Sequence, residues 1–234
     1  MMRELNEKEK EIMDALLNCD FSDLFNDECN DDDCFCYNVY EPFKEKYKGE
    51  VSYATGATKG VLIFPDLNFV IKIPFKYGDE HNSYDEYDDS YYSDMYCGAD
   101  CPNGWDYCEV ETIKYENAEE YDVQDCFAKT ELLGTIRDYP IYKQELATIY
   151  NNADSSTSSH TKEDEEKVEK YCDQHRYDCF NTDWLSDAYV YFGEEKFYNL
   201  MAYIQDYNIE DLHSHNIGYI GMRPVLVDYS SFNN

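Results

Sequence analysis

Basic side chains are scarce in this sequence, whose 234 residues include 19 Lys and Arg against 51 Asp and Glu. The formal net charge of −32 repels phosphate backbones, and nucleic-acid recognition depends on contacts from Lys and Arg. The composition therefore excludes direct nucleic-acid binding of the ordinary kind. It is compatible with a merely well-solvated surface, and also with a protein that offers its carboxylates to a basic partner.

Long apolar runs are absent as well. No stretch approaches the length of a membrane span. The charged start, from Met1 to Leu17, lacks the continuous apolar segment of a signal peptide. We therefore expect a cytoplasmic protein that does not contact a membrane. In that compartment we expect the ten cysteines to be reduced.

The cysteines lack the paired, closely set spacing of a standard structural zinc site. Three groups invite a zinc interpretation, namely Cys29, Cys34 and Cys36; Cys97, Cys101 and Cys108; and Cys172, His175 and Cys179. Free, partly buried thiols are the interpretation that we favour for each group.

Low hydrophobicity with a high net charge is typical of disordered chains. The 25 Tyr and 12 Phe argue against disorder here because they supply large packing surfaces. A chain of 234 residues is long enough for one good core, or for one core with a small appendage. We therefore expect a folded protein in which tyrosine contributes much of the packing.

The first two thirds of the chain divide into two regions. Residues 1–49 combine helical apolar spacing from Leu5 to Leu17 with an acidic loop. Residues 50–150 open with three short β-branched runs separated by turn residues, which predict an antiparallel meander. The predicted strands are 51–55, 60–64 and 68–74, followed by an acidic, Tyr-rich insertion (76–104), a helix (105–121) and two more strands (132–136 and 141–146).

The third region, residues 151–234, carries the clearest chemical pattern. After a Ser-rich linker and two helices (162–172 and 194–207), Asp211 and Asn216 lie five residues apart in one polar loop. A two-strand excursion then returns the chain at Asp228. Carboxylate and amide oxygens suit Mg²⁺ that bridges phosphates. Alternatively, these side chains only satisfy the turns at the ends of a hairpin.

The motif Asp211-Leu-His-Ser-His-Asn216, followed by Asp228-Tyr-Ser, resembles the catalytic loop and metal-binding motif of protein kinases. It is still more similar to that of their aminoglycoside-phosphotransferase-like relatives, and small kinase-like proteins of phages and gut bacteria share it. The resemblance covers residues 50–232. It implies an α+β, reduced two-lobed protein-kinase-like fold, with a small antiparallel sheet and a helical lobe truncated after the metal-binding Asp.

The resemblance also implies a role for each candidate residue. Asp211 would be the catalytic base, with Asn216 and Asp228 as ligands of Mg²⁺. Lys72, which stands inside an apolar strand, would contact the phosphates of ATP.

Glu111 would form an ion pair with Lys72. We choose it over Glu109 because it shares a helix face with Tyr107, Tyr115 and Ala118. The other nucleotide-binding candidates are Gly56 and Gly60 in a phosphate-covering loop, and Gln144 and Glu145 in a hinge that would hold adenine.

The sequence departs from the family pattern in two places. Ile209 stands where the family usually has a His, and only residues 229–234 follow Asp228, so we expect neither an activation segment nor the helices that hold a peptide substrate. His213 and His215 lie inside the loop, where a neutral histidine could carry protons. We expect instead that at least one of them hydrogen-bonds the loop backbone.

Two functions are compatible with these observations. The first is a kinase-like protein that binds Mg·ATP and transfers a phosphoryl group to a small molecule or to a protein hydroxyl. The second is a non-catalytic pseudokinase, strongly acidic and encoded by a phage or mobile element, that blocks a basic host protein or nucleic-acid enzyme in the host cytoplasm. The motif favours the first, and the net charge favours the second.

Overall fold

The computed structural model describes residues 4–21, 34–56, 59–74, 105–137, 139–150, 160–175, 181–209 and 212–230, except for the side chains of 105–107. The chain divides into two compact units. Unit 1 contains Met1–Val110, Thr130–Leu146 and Phe232–Asn234, and unit 2 contains Glu111–Lys129 and Ala147–Ser231. The predicted region 50–150 is therefore shared between the units, and the N-terminal helix belongs to unit 1. Helices accompany antiparallel sheets, so the predicted α+β class is confirmed.

Unit 1 is built on a five-stranded antiparallel sheet with the strand order β1-β2-β3-β5-β4. The strands are β1 (Ser52–Thr55), β2 (Lys59–Phe64), β3 (Phe69–Pro74), β4 (Thr130–Ile136) and β5 (Tyr139–Glu145). The first three strands confirm the predicted meander. The predicted insertion 76–104 and the acidic stretch 26–33 lie outside the described residues.

The turn between β4 and β5 is tighter than the sequence predicts. Tyr139 and Pro140 lie between the predicted strands 132–136 and 141–146, but they belong to β5. Proline is tolerated there because β3 pairs with β5 only from Tyr142 onward, so no strand on that side needs the missing N–H. Asp138 lies outside the described residues.

Two N-terminal helices cover one face of this sheet. They are α1 (Glu7–Leu16), which the sequence predicts, and α2 (Glu41–Tyr47), which continues from a π-helical turn over Cys36–Tyr40. The sequence-based interpretation placed only loop after α1, so α2 is a correction. Pro42 cannot donate to the Asn38 carbonyl four residues earlier, and that carbonyl accepts from the Asp20 N–H over 3.0 Å instead. The buried side chains of Phe35, Val39 and Phe43 then form an apolar stripe at four-residue spacing.

Unit 2 is mainly helical. Helix α3 (Trp105–Asn117) enters it at Glu111, and α4 (Lys162–His175), α5 (Thr182–Phe192) and α6 (Glu194–Asp206) follow. A small sheet of order β6-β7-β8 joins β6 (Thr148–Ile149), β7 (Ile217–Ile220) and β8 (Arg223–Leu226). Helix α5 was not predicted. It begins at an Asn181 cap and is separated from α6 by Gly193, whose φ of 83° favours glycine.

Tyrosine contributes to the core of unit 2, as expected from the composition. Tyr203 and Tyr229 are fully buried, and both rings make edge-to-face contacts with Phe127. Their hydroxyls donate hydrogen bonds to backbone carbonyls, from Tyr203 to Lys114 and from Tyr229 to Ala128 over 2.9 Å. Such tyrosines place large rings in the core without leaving a polar atom unsatisfied.

The described cysteines only partly agree with the expectation of reduced thiols. Cys19, Cys36, Cys108, Cys126 and Cys172 are free, whereas Cys34 is disulfide-bonded. The prediction that all ten are reduced is therefore wrong at Cys34, since it rested on compartment alone. Pairing depends on how closely two sulfurs approach in space, which sequence spacing does not reveal. No helix within the described ranges has both the length and the apolar character needed to cross a bilayer.

Candidate functional site

The two predicted metal ligands lie side by side in unit 2. Asn216 directly precedes β7, and Asp228 follows β8 after one intervening residue, so the hairpin brings them together. The Val227 N–H donates to the Asn216 carbonyl over 2.8 Å, and the Asp228 N–H lies 3.4 Å from the same oxygen. Asn216 is buried and Asp228 is half-buried. An amide and a carboxylate therefore start from adjacent points of the backbone.

The chemistry of this pair fits Mg²⁺ better than a metal held by the protein alone. Both side chains offer oxygen, and the Ser230 hydroxyl donates to Asp228 Oδ1 over 3.2 Å. Among the described residues, no group of three or more His, Cys, Asp or Glu is placed to hold a metal ion. A cation bound here would take most of its ligands from water or phosphate, which is the usual coordination of Mg²⁺ in nucleotide sites.

The loop before Asn216 is only partly described. Asp211, the predicted catalytic base, lies outside the described residues. Downstream of it, His213 Nδ1 accepts a hydrogen bond from the His215 N–H over 3.1 Å, and the His213 carbonyl accepts from the Asn216 N–H over 2.9 Å. The prediction that a loop histidine bonds the loop backbone is confirmed for His213. Its contacts fix the entry of Asn216 into the hairpin.

In unit 1, Lys72 and Gln144 lie on one face of the sheet. Lys72 stands opposite Val61 and Tyr142 in the register of β2, β3 and β5, and Gln144 stands opposite Val70 and Thr130. Directly opposed residues share a face, and strand residues two apart share it too. Both side chains are buried, and Gln144 Nε2 donates to Thr130 Oγ1 over 2.7 Å. The opposite face carries Leu62, Ile71 and Ile73, which pack in the core with α1 and α2.

Lys59 is a candidate that sequence reasoning missed. It pairs with Pro74 across β2 and β3, so it shares the face of Lys72, and it is 5% exposed. The sequence-based interpretation placed Lys59 in the turn, because Gly56 and Gly60 bracket it. The strand in fact begins at Lys59, so alternation from Val61 was the signal that could have found it.

Three other predicted nucleotide-binding residues do not share the sheet face of Lys72 and Gln144. Gly60 lies on the face toward the N-terminal helices, where an added Cβ would meet Phe35 ring atoms at 2.0 Å, so packing accounts for the glycine. Gly56 is exposed in the β1–β2 turn, where its N–H donates to the Lys59 carbonyl over 3.0 Å. Glu145 stands opposite Phe69 and alternates to the face away from Gln144. Contacts of these residues with a nucleotide stay predictions.

Helix α3 carries the predicted partner of Lys72. Glu111 is fully buried, whereas Glu109 is exposed, in agreement with the helix face chosen from the sequence. Lys72 is 3% exposed. The ion pair between Lys72 and Glu111 stays a prediction.

One turn after Glu111, helix α3 carries a second buried charge, Lys114, that sequence reasoning missed. Its Nζ donates to the Ser230 carbonyl over 2.7 Å. Burial lowers the pKa of Lys114 to about 8, and the nearby Glu111 opposes this shift. The i, i+3 spacing of Glu111 and Lys114 on the inward face was the available signal.

No family model, curated protein or solved structure matches this chain. The resemblance to protein kinases therefore rests on the motifs.

Proposed function

We propose that this chain is a kinase-like protein that binds Mg·ATP and transfers the γ-phosphoryl group to a hydroxyl of a small molecule or protein. The adjacency of Asn216 and Asp228 carries the proposal, because the Asn216 carbonyl accepts from the Asp228 N–H over 3.4 Å and from the preceding Val227 N–H over 2.8 Å. These two residues were chosen from a motif as the metal ligands. Twelve positions apart in sequence, they are neighbours at the base of one hairpin.

The proposal gives each group a role that phosphoryl transfer requires. Asn216 and Asp228 hold Mg²⁺, which neutralises charge on the phosphates, and Lys72 supplies a second positive charge. The acceptor hydroxyl oxygen forms a bond to the γ-phosphorus while the bond to the β–γ bridging oxygen breaks and ADP leaves. Asp211 accepts the hydroxyl proton. Such a reaction needs positioning and electrostatic stabilisation, and little covalent help from the protein.

Features of each unit support the kinase-like fold. A five-stranded antiparallel sheet carries Lys72 on its third strand, and the next described element in the chain is α3, which carries the buried Glu111. The N-terminal helices occupy the sheet face opposite Lys72. A buried lysine in this position needs a negatively charged group nearby, because burial of an uncompensated ammonium is costly.

Calorimetric titration tests the binding step. We expect Mg·ATP to bind with a Kd below about 1 mM, and Mg²⁺ alone to bind much more weakly because two side chains leave most of its coordination to water and phosphate. Lys72→Met and Asp228→Asn should each weaken Mg·ATP binding at least tenfold, as expected for removal of a charged interaction worth about 1.5–3 kcal/mol.

Lys167→Met is the matched control, because Lys167 is half exposed on α4 and forms its ion pair with Glu163 of the same helix. It should bind Mg·ATP like the parent. Tight Mg²⁺ binding without nucleotide, or no Mg·ATP binding at millimolar concentration, would contradict the proposal.

The net charge of −32 favours a second candidate, a non-catalytic acidic protein that blocks a basic partner. Helix α4 illustrates the surface available for it, since Glu163, Glu166 and Glu169 are all exposed there. Immobilised protein should then retain a partner from host lysate at about 50 mM salt and release it at about 500 mM, where screening is stronger. Replacing the three glutamates by Gln should weaken retention. No retention at low salt would exclude this candidate.

A further inference from the structure

Lys114 is a buried charge in the interior of unit 2. Its side chain extends from α3, is 4% exposed, and directs its ammonium to the backbone carbonyl of Ser230 over 2.7 Å. The two residues are 116 positions apart in sequence. Lysine is almost never buried to this degree unless it has a specific polar partner, so the contact with Ser230 is the structural reason for its position.

The segment that Lys114 holds leads directly to Asp228. Ser230 is itself buried, and its hydroxyl donates to Asp228 Oδ1 over 3.2 Å. Two successive hydrogen bonds thus connect the Lys114 ammonium, the Ser230 carbonyl and hydroxyl, and the Asp228 carboxylate. Between them, the Tyr229 hydroxyl anchors the same segment to the Ala128 carbonyl over 2.9 Å.

The other end of this connection is also fixed. The Tyr203 hydroxyl of α6 donates to the Lys114 carbonyl, so the backbone from which the lysine extends is bonded to a second helix. A carboxylate whose rotamer is set in this way does not have to be ordered when a cation binds. Preorganised ligands bind more tightly because that entropy cost is absent.

We propose that Lys114 is a positioning residue, which acts through Ser230 to hold the Asp228 carboxylate in the orientation that binds the cation of Mg·ATP. This inference rests on the proposed function and adds a residue to it. Lys114 touches neither phosphate nor metal. Its effect is therefore confined to binding that depends on Mg²⁺.

The test compares the parent with Lys114→Met, Ser230→Ala and Ser230→Thr, by calorimetric titration with Mg·ATP and with ATP in excess EDTA. Ser230→Ala removes the hydroxyl that bonds Asp228 while the Lys114 ammonium keeps its carbonyl, so it is the gentler variant. We expect Lys114→Met and Ser230→Ala each to weaken Mg·ATP binding about tenfold, the effect of one missing hydrogen bond. Binding of metal-free ATP should not change.

Two further readouts separate positioning from a merely structural role. Ser230→Thr keeps the hydroxyl and should restore Mg·ATP affinity to within about threefold of the parent. In the Lys114→Met/Ser230→Ala double variant, the loss should be close to that of either single variant, because both break one connection. Lys167→Met, which alters an exposed lysine of the same unit, should leave both titrations unchanged.

The outcomes distinguish this inference from the proposed function. If the parent binds Mg·ATP and both Lys114→Met and Ser230→Ala bind it equally well, the positioning role is wrong and the function stands. If they weaken ATP binding to the same extent with and without Mg²⁺, the role is again wrong. If the parent binds no Mg·ATP, the proposed function fails, and this inference fails with it.

Discussion

The carboxylate of Glu9, fully buried in the first turn of α1, accepts a hydrogen bond from the Lys143 ammonium of β5 over 2.9 Å. Its other oxygen accepts from the Asn6 N–H over 2.9 Å and completes a capping box at the start of the helix. One side chain therefore both starts α1 and fastens it to the sheet. Sequence analysis predicted the helix but not this attachment.

Glu9→Gln should lower the free energy of unfolding by about 2–4 kcal/mol. Glutamine keeps the size of the side chain and an oxygen for the cap, but it removes the buried charge of Glu9 and leaves the Lys143 ammonium only the more distant Glu131 carboxylate at 3.6 Å. Urea denaturation monitored by circular dichroism measures the loss. The control is Glu11→Gln, which breaks the exposed 2.7 Å pair with Lys8 on the same helix and should cost less than about 0.5 kcal/mol. Equal effects of the two variants would contradict this prediction.

Gly60→Ala should destabilise unit 1 by about 1–3 kcal/mol, the usual cost of overpacking. The added Cβ would lie 2.0 Å from the Phe35 ring, so the ring or the strand must shift. Gly56→Ala is the matched control, because its Cβ would meet nothing closer than the Lys59 carbonyl at 4.0 Å.

Thermal melts of both glycine variants, each alone and combined with Phe35→Leu, measure the effect. The smaller side chain should recover part of the loss in Gly60→Ala and none in Gly56→Ala. If Gly60→Ala melts like the parent, packing against Phe35 does not explain the glycine, and the phosphate-loop interpretation becomes the better one.

The buried thiols should make the protein less stable as the solution becomes alkaline. Burial raises the pKa of Cys19 to about 12 and of Cys172 to about 11, from 9.0, and raises the pKa of Cys126 still further. Above pH 9 the unfolded chain releases these protons and the folded chain retains them. The stabilisation is therefore complete below pH 9 and is lost as the pH rises.

A Cys19→Ala/Cys172→Ala variant tests this. Although it is less stable than the parent at pH 8 because of the cavities left, its stability should improve relative to the parent by about 1–2 kcal/mol between pH 8 and 9.5. Urea denaturation at the two pH values gives the difference. An unchanged gap between variant and parent would show that these thiols do not titrate differently in the folded chain.

Titration of Lys114 should make the protein more stable, not less, as the solution becomes alkaline. Its pKa falls from 10.5 to about 8 because of burial, so between these values the unfolded chain binds more protons than the folded chain. Burial of the charged lysine therefore destabilises the fold fully below pH 8. This destabilisation decreases as the pH rises from 8 to 10.5. Lys114→Met should lose this gain in stability and become less stable relative to the parent by about 1–2 kcal/mol between pH 8 and 9.5. A parallel pH profile would contradict the assignment.

Most of the elements that sequence analysis predicted have a clear apolar pattern. Strands β1 to β3 are short β-branched runs that turn residues separate from one another. Helices α1, α4 and α6 have clear helical spacing. Helix α5 was missed because its aromatic and apolar residues do not alternate with enough polar residues to show a period. Its Asn181 cap, with Trp184, Leu185 and Ala188 all buried, shows that a capping signal was present.

The candidate site was predictable only where chemistry and local spacing coincide. The hairpin between Asn216 and Asp228 is short, so its two ends had to meet, and the structure brings them together. Spacing places Lys59 and Lys114 on a particular face of a strand or helix, but their burial depends on whether that face is covered, which spacing does not show. The hydrogen bond from Lys114 to Ser230 spans 116 residues, and local pattern carries no information about such pairs.

Separate substitutions of Asp211 and Asp228 distinguish an enzyme from an acidic scaffold. Asp228→Ala should abolish the rise in melting temperature caused by Mg·ATP, because it removes a metal ligand. It should change the free energy of unfolding by only about 1 kcal/mol, the usual worth of a hydrogen bond such as the one that Asp228 accepts from the Ser230 hydroxyl. Asp211→Ala should keep the Mg·ATP shift and remove phosphoryl transfer, because a base contacts the incoming hydroxyl rather than the cation.

The measurements are thermal melts with and without Mg·ATP, and transfer from labelled ATP. If the parent shows no shift and both variants still retain a basic partner, the acidic-scaffold function is correct and the kinase-like residues have no catalytic role. If Asp228→Ala unfolds without nucleotide, Asp228 is a structural residue, and its assignment as a metal ligand is wrong.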